Sequence, residues 1–136
     1  MTTFRISEAA TLLGVSPDTV RRWIDAGRLA ARRDDNGHRT VEGADLAAFA
    51  RSQVETGGGS GRSSARNRLR GIVTEVIKDS VMAQVEIAAG PYRVVSLMSR
   101  QAADELGLAA GVVAVAVIKS TNVVVEIADP ARAVGQ

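Results

Sequence analysis

Arginine side chains that could bind phosphate groups or the edges of bases are grouped in three stretches of the sequence. Arg21 and Arg22 are adjacent, residues 32–39 (RRDDNGHR) hold three more arginines, and residues 62–70 hold four without any acidic residue. A guanidinium group offers a fixed positive charge and a planar set of N–H donors, which suits both phosphate oxygens and the guanine edge. The sequence leaves the choice between these two uses open for each arginine.

The residue types on which most enzymes and metal sites depend are scarce. The 136 residues include no cysteine and one histidine, His38, which argues against thiol nucleophiles, a Ser-His-Asp triad and Cys- or His-rich metal sites. No pair of catalytic carboxylates stands out, and the run GGGSG is not followed by the helix and lysine of a phosphate-binding loop. Aromatic residues make up 3%, too few for a surface that stacks single-stranded bases. We therefore expect neither an enzyme nor a metal cation site.

Charge and composition divide the chain into two small domains. Residues 1–55 balance eight arginines against eight acidic residues, whereas residues 71–136 hold five basic and seven acidic residues. Between them, TGGGSGRSS at residues 56–64 has the composition of a flexible linker. We predict domains at residues 1–55 and 63–128, a linker at 56–62 and a tail at 129–136. The N-terminus lacks the apolar core of a signal peptide and no long apolar run follows, so we expect a cytoplasmic protein that does not enter a membrane.

Two short helices joined by a tight turn are predicted near the N-terminus. In the first, apolar residues recur at helical spacing, Ser7 can cap the start and Gly14 can end it. In the second, Ser16 can cap the start, Pro17 suits the first helical position and Gly27 marks the end. Such a pair is typical of a helix-turn-helix, which lays its second helix in the major groove of double-stranded DNA. A solvated arginine face on a small helical domain is the alternative that these residues leave open.

A β-hairpin and a third helix follow. The Asn36-Gly37 pair favours a type I′ turn, so the flanking arginines would lie on a small β-wing. Residues 44–51 then predict a helix with Leu46 and Phe49 facing inward.

The stretch SEAATLLGVSPDTVRRWIDAGRL, followed by NGHRTVEGADLAAF, resembles the MerR-type and excisionase-like winged helix-turn-helix modules. The resemblance covers about residues 3–51 and implies that the second helix enters the major groove while the wing grips the DNA backbone. It implies a core position for Trp23. The residues that it assigns to DNA contacts are Thr19, Arg21 and Arg22 on the recognition helix, and Arg39 with Arg33 and His38 on the wing.

From Leu69 onward the apolar pattern has the period of a β-strand. Val81, Ala83, Val85 and Ile87 alternate with polar or exposed positions. Five strands are predicted, at residues 69–77, 81–87, 92–98, 113–118 and 123–127, with one helix that starts after Ser99 and ends at Gly107. Five short strands in about 65 residues indicate a small barrel, and the fold class of the whole chain is α+β.

Three motifs in register, SARNRLRGIV at residues 64–73, AADELGL and AVIKSTNVVV, resemble the Mop-type molybdate-binding domain, also called the TOBE domain, of molbindins and ModE-type regulators. The match spans residues 63–128 and implies an OB-like five-stranded barrel that binds molybdate, with tungstate as a near-isosteric ligand. A tetrahedral dianion requires fixed N–H and O–H donors and positive charge. The positions that carry over are Ser64, Ala65, Arg66, Asn67, Lys119 and Ser120, together with Ser99, whose hydroxyl either reaches an anion of another subunit or caps the helix.

Together the two halves predict a molybdate-responsive transcriptional regulator that binds operator DNA. The alternative is a molybdate-buffering molbindin whose helical module mediates assembly or docks a protein partner. The resemblance also implies a homo-oligomer, with the hexamer of single-unit molbindins as its form and with anions held at subunit boundaries.

Overall fold

The computed structural model describes residues 2–54 and 63–128, which fall into two units. The N-terminal unit combines three helices with a small antiparallel sheet in which β3 is central, in the order β1-β3-β2. Its elements are β1 (Thr3–Arg5), α1 (Ile6–Leu13), α2 (Pro17–Asp25), β2 (Arg32–Arg33), β3 (Arg39–Glu42) and α3 (Gly43–Gln53).

The start of α1 is set by the sheet that precedes it. β1 pairs with β3, so that Arg5 lies opposite Thr40 and keeps an extended backbone as the residue before the helix. The Arg5 amide donates a hydrogen bond to Glu8 Oε1, 3.0 Å away. The prediction of Ser7 as the cap is therefore wrong, because the pairing of β1 extends the chain up to Arg5 and leaves Ser7 inside the first turn.

The second helix begins and ends as its sequence predicts. Ser16 Oγ accepts a hydrogen bond from the Thr19 amide at 3.2 Å, and Pro17 occupies the first helical position. Beyond the last turn, Gly27 has a φ of 75° and the Arg28 amide donates to the Trp23 oxygen at 2.9 Å. A left-handed glycine of this kind closes a helix without the strain that a Cβ would cause.

Apolar side chains from all three helices form the core of the N-terminal unit. Val20 and Val41 are fully buried, which stabilises the fold by about 1.5–3 kcal/mol for each such side chain. Trp23 packs on this core, with its ring 4.8 Å from that of Phe49. The assignment of Trp23 to the core is therefore confirmed. The face of α2 opposite Trp23 carries polar residues.

The wing turn differs from the predicted type. Asp34 and His38 close the hairpin through the Asp34 amide and the His38 oxygen at 2.9 Å, and the Gly37 amide donates to the Asp34 oxygen at 2.9 Å. A type I′ turn needs a positive φ at both central residues, but in the described chain only glycines, Gly37 among them, have one. The type I′ prediction is wrong because Asn36 stays at negative φ in a three-residue loop, which ends in the left-handed Gly37.

The C-terminal unit is an antiparallel sheet of four strands in the order β6-β5-β4-β7, with one helix. Its elements are β4 (Asn67–Lys78), β5 (Met82–Ala89), β6 (Tyr92–Ser99), α4 (Arg100–Glu105), β7 (Val113–Ile118) and a 3₁₀ turn (Ser120–Asn122). The first half of β4 pairs with β7 and its second half with β5, with a bulge between Val73 and Glu75. A bulge bends its strand, so β4 can pair with both β7 and β5 in a curled sheet.

Residues 123–128 follow the 3₁₀ turn, with Val123 in an extended conformation, and pair with no strand in the described part of the chain. The fold class is confirmed as α+β with an OB-like curled sheet, whereas the predicted fifth strand does not form within one chain. The physical reason is that its apolar side chains find no partner here: Val124, Val125 and Ile127 are 85%, 82% and 94% exposed. The concave side of the sheet holds an apolar cavity of about 620 Å³, lined chiefly by β6 and β7.

None of the helices in residues 2–54 and 63–128 has both the length and the apolar character needed to cross a membrane.

Candidate functional site

The polar face of α2 holds two arginines in fixed positions. Arg21 Nη1 lies 2.6 Å from Asp18 Oδ1, and Arg22 Nη2 donates to Thr19 Oγ1 at 3.2 Å. Each arginine is thus held by a side chain one turn earlier. Both contacts are exposed to solvent, and exposed pairs of this kind contribute little to stability, so both guanidinium groups stay accessible from solvent.

Hydrogen bonds also fix the arginines of the wing. Arg39 Nη1 lies 2.9 Å from Asp25 Oδ1, which ties β3 to the end of α2. Arg33 Nη1 donates to the Gly37 oxygen at 2.6 Å, within the hairpin. The wing and the predicted recognition helix are therefore joined through one ion pair in the N-terminal unit.

His38 belongs to the same turn as Asp34. Asp34 Oδ1 accepts hydrogen bonds from the His38 and Asn36 amides, both at 2.9 Å. The His38 amide and then the Asn36 amide hold the pKa of Asp34 below its ordinary value, since both favour the charged carboxylate. His38 Nδ1 is 3.8 Å from Asp34 Oδ2, too far for a hydrogen bond.

Three of the six predicted DNA-contact residues come together at one small cavity. Arg21, His38 and Arg39 line a concave space of about 210 Å³, together with Arg5 and Ser7. The sequence reasoning missed the last two residues. The sequence does contain a signal for Arg5, namely an arginine directly before the first helix in the run FRIS. The sequence alone does not reveal the pairing of β1 with β3, which determines the position of Arg5. Thr19 and Arg22 lie on the neighbouring surface of α2, and Arg33 lies on the wing.

A second cluster of predicted residues lies where β4 begins and β7 ends. In the antiparallel register, Asn67 faces Ile118, so that Arg66 and Lys119 follow at the same end of the ladder. Asn67 Nδ2 donates to the Ile118 oxygen at 3.1 Å. The segments 64–67 and 119–120, separated by about 50 residues in sequence, are thereby brought together.

Local hydrogen bonds shape both segments of this cluster. Arg66 Nη1 donates to the Ser64 oxygen at 3.3 Å, and the Ala65 amide donates to Ser63 Oγ at 3.1 Å. Lys119 precedes the 3₁₀ turn that contains Ser120, and its oxygen accepts from the Asn122 amide at 2.9 Å. The cluster offers a guanidinium group, an ammonium group and two hydroxyl groups, and Ser64, Arg66, Lys119 and Ser120 are all exposed. Such a donor set suits an anion with several oxygens.

Ser99 lies apart from this cluster within the C-terminal unit. It faces Met82 across β5 and β6, near the end of β4 at Lys78, whereas Asn67 begins β4. Its Oγ accepts from the Ala102 amide at 3.1 Å and so caps α4. A single copy does not bring Ser99 to Arg66, and its role toward an anion of another subunit stays a prediction.

Within residues 2–54 and 63–128, no three His, Cys, Asp or Glu side chains are grouped so as to hold a metal ion.

Each unit matches a known protein-family model. The helix-turn-helix domain model matches residues 3–54, and the TOBE domain model matches residues 63–125. These two matches cover most of the described chain and leave the stretch between them unassigned.

Among curated proteins, the chain is similar to molybdenum-pterin-binding protein 3 of Clostridium pasteurianum, with 45% identity over 64 residues that cover 46% of this chain and 93% of that protein. It is also 43% identical over 51 residues to the type II methyltransferase M.Eco47II of Escherichia coli, which covers 37% of this chain but only 12% of the enzyme. Among solved structures, a molybdate binding protein from Sporomusa ovata is 27% identical with a TM-score of 0.47, over 48% of this chain and 98% of that one.

Proposed function

We propose that the chain is a molybdate-responsive DNA-binding regulator. Residues 63–125 match the TOBE domain model, and the chain belongs to the family of the molybdenum-pterin-binding proteins of Clostridium pasteurianum. The helix-turn-helix domain at residues 3–54 would bind duplex DNA, and the TOBE domain would bind the anion. Both tasks suit a protein of the cytoplasm. In this proposal neither domain catalyses a reaction.

The juxtaposition of residues 64–67 with residues 119–120 is the observation that carries the anion-binding half of the proposal. Arg66 and Lys119 supply two positive charges at one end of the β4–β7 ladder, which matches the charge of a dianion. Ser64 and Ser120 add hydroxyl donors, and backbone amides near Ala65 and Ser120 add N–H donors. None of these groups needs to change its redox state or act as a base, so the site suits binding rather than catalysis.

A free oxyanion fits this cluster better than a pterin ring does. A flat heterocycle is best held by aromatic or apolar side chains, whereas the two segments SSARN and KST contain none that is aromatic. Three of the chain's four aromatic residues, Phe4, Trp23 and Phe49, lie in the N-terminal unit, and Tyr92 begins β6. Molybdate and tungstate are near-isosteric dianions, and we propose that both bind. Sulfate is smaller, and donors spaced for molybdate would contact it poorly.

The fixed arginines support the DNA-binding half. Arg21 and Arg22 lie on the outer face of α2, the helix that a helix-turn-helix inserts into the major groove. Arg33, His38 and Arg39 belong to the wing, where they would contact phosphates, and Thr19 would contact the groove beside Arg22. Phosphate contacts position a protein on DNA, whereas base contacts specify the sequence.

We further propose a homo-oligomer in which residues 123–127 of one copy complete the sheet of another. This segment begins with the extended Val123 and is rich in exposed valine and isoleucine, and strands β6 and β7 are both edges of the sheet. The apolar cavity of about 620 Å³ lies between these edges. A fifth strand added there would cover apolar surface and satisfy free backbone groups. Sedimentation of the protein tests this, since a monomer at micromolar concentration would contradict it.

The proposed function is tested by selecting bound duplex fragments from a random pool, with and without molybdate. We expect a defined sequence to be enriched, with a yield that depends on molybdate and not on sulfate. Molybdate binding without any duplex binding would contradict the regulator and leave the buffering protein as the explanation. Duplex binding without molybdate binding would contradict the sensor.

A further inference from the structure

We propose that the cavity of about 210 Å³ in the N-terminal unit, hereafter the basic cavity, holds one phosphate group of the DNA backbone, with Arg5 as its main charged contact. This inference rests on the proposed DNA binding and adds a contact outside the recognition helix and the wing. The residues that line the basic cavity are Arg5, Ile6, Ser7, Arg21, His38 and Arg39.

The fold brings these side chains together from three places in the sequence. Arg5 ends β1 and faces Thr40 of β3, so it lies beside Arg39, the preceding residue of β3. His38 precedes that strand, and Arg21 comes from the middle of α2. Three arginines and a histidine therefore surround one concave space that no local sequence pattern would form.

Within residues 2–54, the ion pairs around the basic cavity leave one arginine without a direct acidic partner. Arg21 pairs with Asp18 at 2.6 Å, and Arg39 pairs with Asp25 at 2.9 Å. By contrast, none of the ion pairs found among residues 2–54 involves Arg5. The charge of Arg5 acts on Asp34 without forming an ion pair with it, so Arg5 is the arginine of the basic cavity that is most available to a phosphodiester.

The position of the basic cavity favours a backbone phosphate over a base, and its size admits one. The basic cavity lies between α2 and the wing, and in a docked helix-turn-helix the surface beside the recognition helix faces the sugar-phosphate backbone. Its volume of about 210 Å³ is several times the roughly 30 Å³ share of a water molecule in the liquid. The donors around it are guanidinium, imidazole and hydroxyl groups, which suit phosphate oxygens.

The main test measures duplex affinity across salt concentrations for the full chain, Arg5→Ala, Arg5→Lys and the control Arg51→Ala. Arg51 is an exposed arginine in the last turn of α3 and does not line the basic cavity. We expect Arg5→Ala to weaken binding to all duplexes by about tenfold and to lower the salt slope by about 1. Arg5→Lys should restore the slope, because it restores the charge, and Arg51→Ala should resemble the unaltered protein.

A second arm separates failure of this inference from failure of the proposed function. The ¹⁵N-labelled full chain is titrated with inorganic phosphate against chloride at equal ionic strength. If the unaltered protein binds duplex and Arg5→Ala behaves like Arg51→Ala, the basic cavity is not a phosphate site although DNA binding stands. A third outcome is that the protein binds no duplex and still shows saturable shifts at Ser7 and His38 that are lost in Arg5→Ala. In that case the basic cavity is a phosphate site, and only DNA as its ligand is contradicted. Absence of both signals overturns both proposals.

Discussion

The side-chain amide of Asn67 donates a hydrogen bond to the backbone oxygen of Ile118, 3.1 Å away, and so joins two segments that lie 51 residues apart. The two residues are also register partners of β4 and β7. The contact is partly buried, so it is shielded from competition with water. It fixes the turn that carries Arg66 against the strand end that carries Lys119, and it makes Asn67 a positioning residue of the proposed anion site.

Asn67→Ala should lower molybdate affinity without removing any charged donor. A neutral hydrogen bond contributes about 0.5–1.5 kcal/mol, so we expect a loss of about two- to tenfold. Calorimetric titration measures this directly. The control is Gln101→Ala, which removes an exposed amide that bonds Glu105 on α4. Equal molybdate affinity in both variants would show that Asn67 does not position the anion site.

Loss of either charged side chain should weaken the proposed anion site more strongly. Arg66→Ala and Lys119→Ala each remove a charge-assisted contact of about 1.5–3 kcal/mol, equivalent to about tenfold or more in the dissociation constant for molybdate. Arg68→Ala is the matched control, since Arg68 is an exposed arginine two residues further along the same segment. If Arg68→Ala costs as much as Arg66→Ala, general surface charge explains the affinity.

Much of the N-terminal unit could be predicted because local signals determine it. Ser16, Pro17 and Gly27 fix the ends of α2 through contacts within a few residues. The start of α1 could not be predicted in this way, since Arg5 is held by β3, more than 30 residues further on. The turn type at Asn36 was wrongly predicted because the Asn36-Gly37 pair fits both a two-residue and a three-residue hairpin loop. The pairing of Asp34 with His38 selects the three-residue loop.

The candidate sites also combine features that the sequence predicts with features that depend on contacts between distant strands. The resemblance to the Mop-type domain identified Arg66 and Lys119 as donors, and the register of β4 with β7 brings them together. Residues 123–127 were predicted as a strand, but a strand needs a neighbour, and the described chain offers none. Arg5 was missed because its role depends on a contact between β1 and β3.

The recognition helix should carry the base preference of the protein. Replacing both Arg21 and Arg22 by alanine should relax sequence preference, because a bidentate arginine contact discriminates a base pair by about 1–3 kcal/mol. Arg39→Ala should instead weaken all duplexes alike, since a wing contact to phosphate carries no sequence information. Selection of duplexes with each variant distinguishes the two effects. An unchanged preference in the Arg21 and Arg22 double variant would contradict the assignment of α2.

Gly71 is required where β4 passes close to β5. A Cβ at this position would overlap the backbone oxygen of Ala88 and approach Ile87 Cγ2 to 2.8 Å. We expect Gly71→Ala to reduce the free energy of unfolding of the C-terminal unit by about 1–3 kcal/mol, as overpacking does. Denaturant titration followed by the NMR signals of Val73 and Val85 measures it. Arg70→Ala, on the same strand and exposed, should stay within about 0.5 kcal/mol.

Asp79 should contribute to stability in a pH-dependent way. The Met82 amide and then the Val81 amide donate to its carboxylate at 2.7 and 2.8 Å and hold the pKa of Asp79 below its ordinary 3.8, with Arg100 adding to the effect. The charged form is favoured in the fold, so the stabilisation is complete above pH 3.8 and is lost as the pH falls through the lowered pKa. Unfolding midpoints from neutral to acid pH should therefore show Asp79→Asn approaching the unaltered protein in acid. A difference that is constant with pH would contradict this.

If one chain couples an oxyanion to duplex DNA, its affinity for the duplex must respond to molybdate, and fluorescence anisotropy of a selected, labelled duplex measures that response. Affinity is measured for the full chain with saturating molybdate, with sulfate at equal ionic strength and with neither, and again for Lys119→Ala. We predict that molybdate changes the dissociation constant for the duplex by about fivefold or more, that sulfate does not, and that Lys119→Ala loses the response while it still binds the duplex. An identical dissociation constant in all three solutions would contradict coupling between the oxyanion and the duplex.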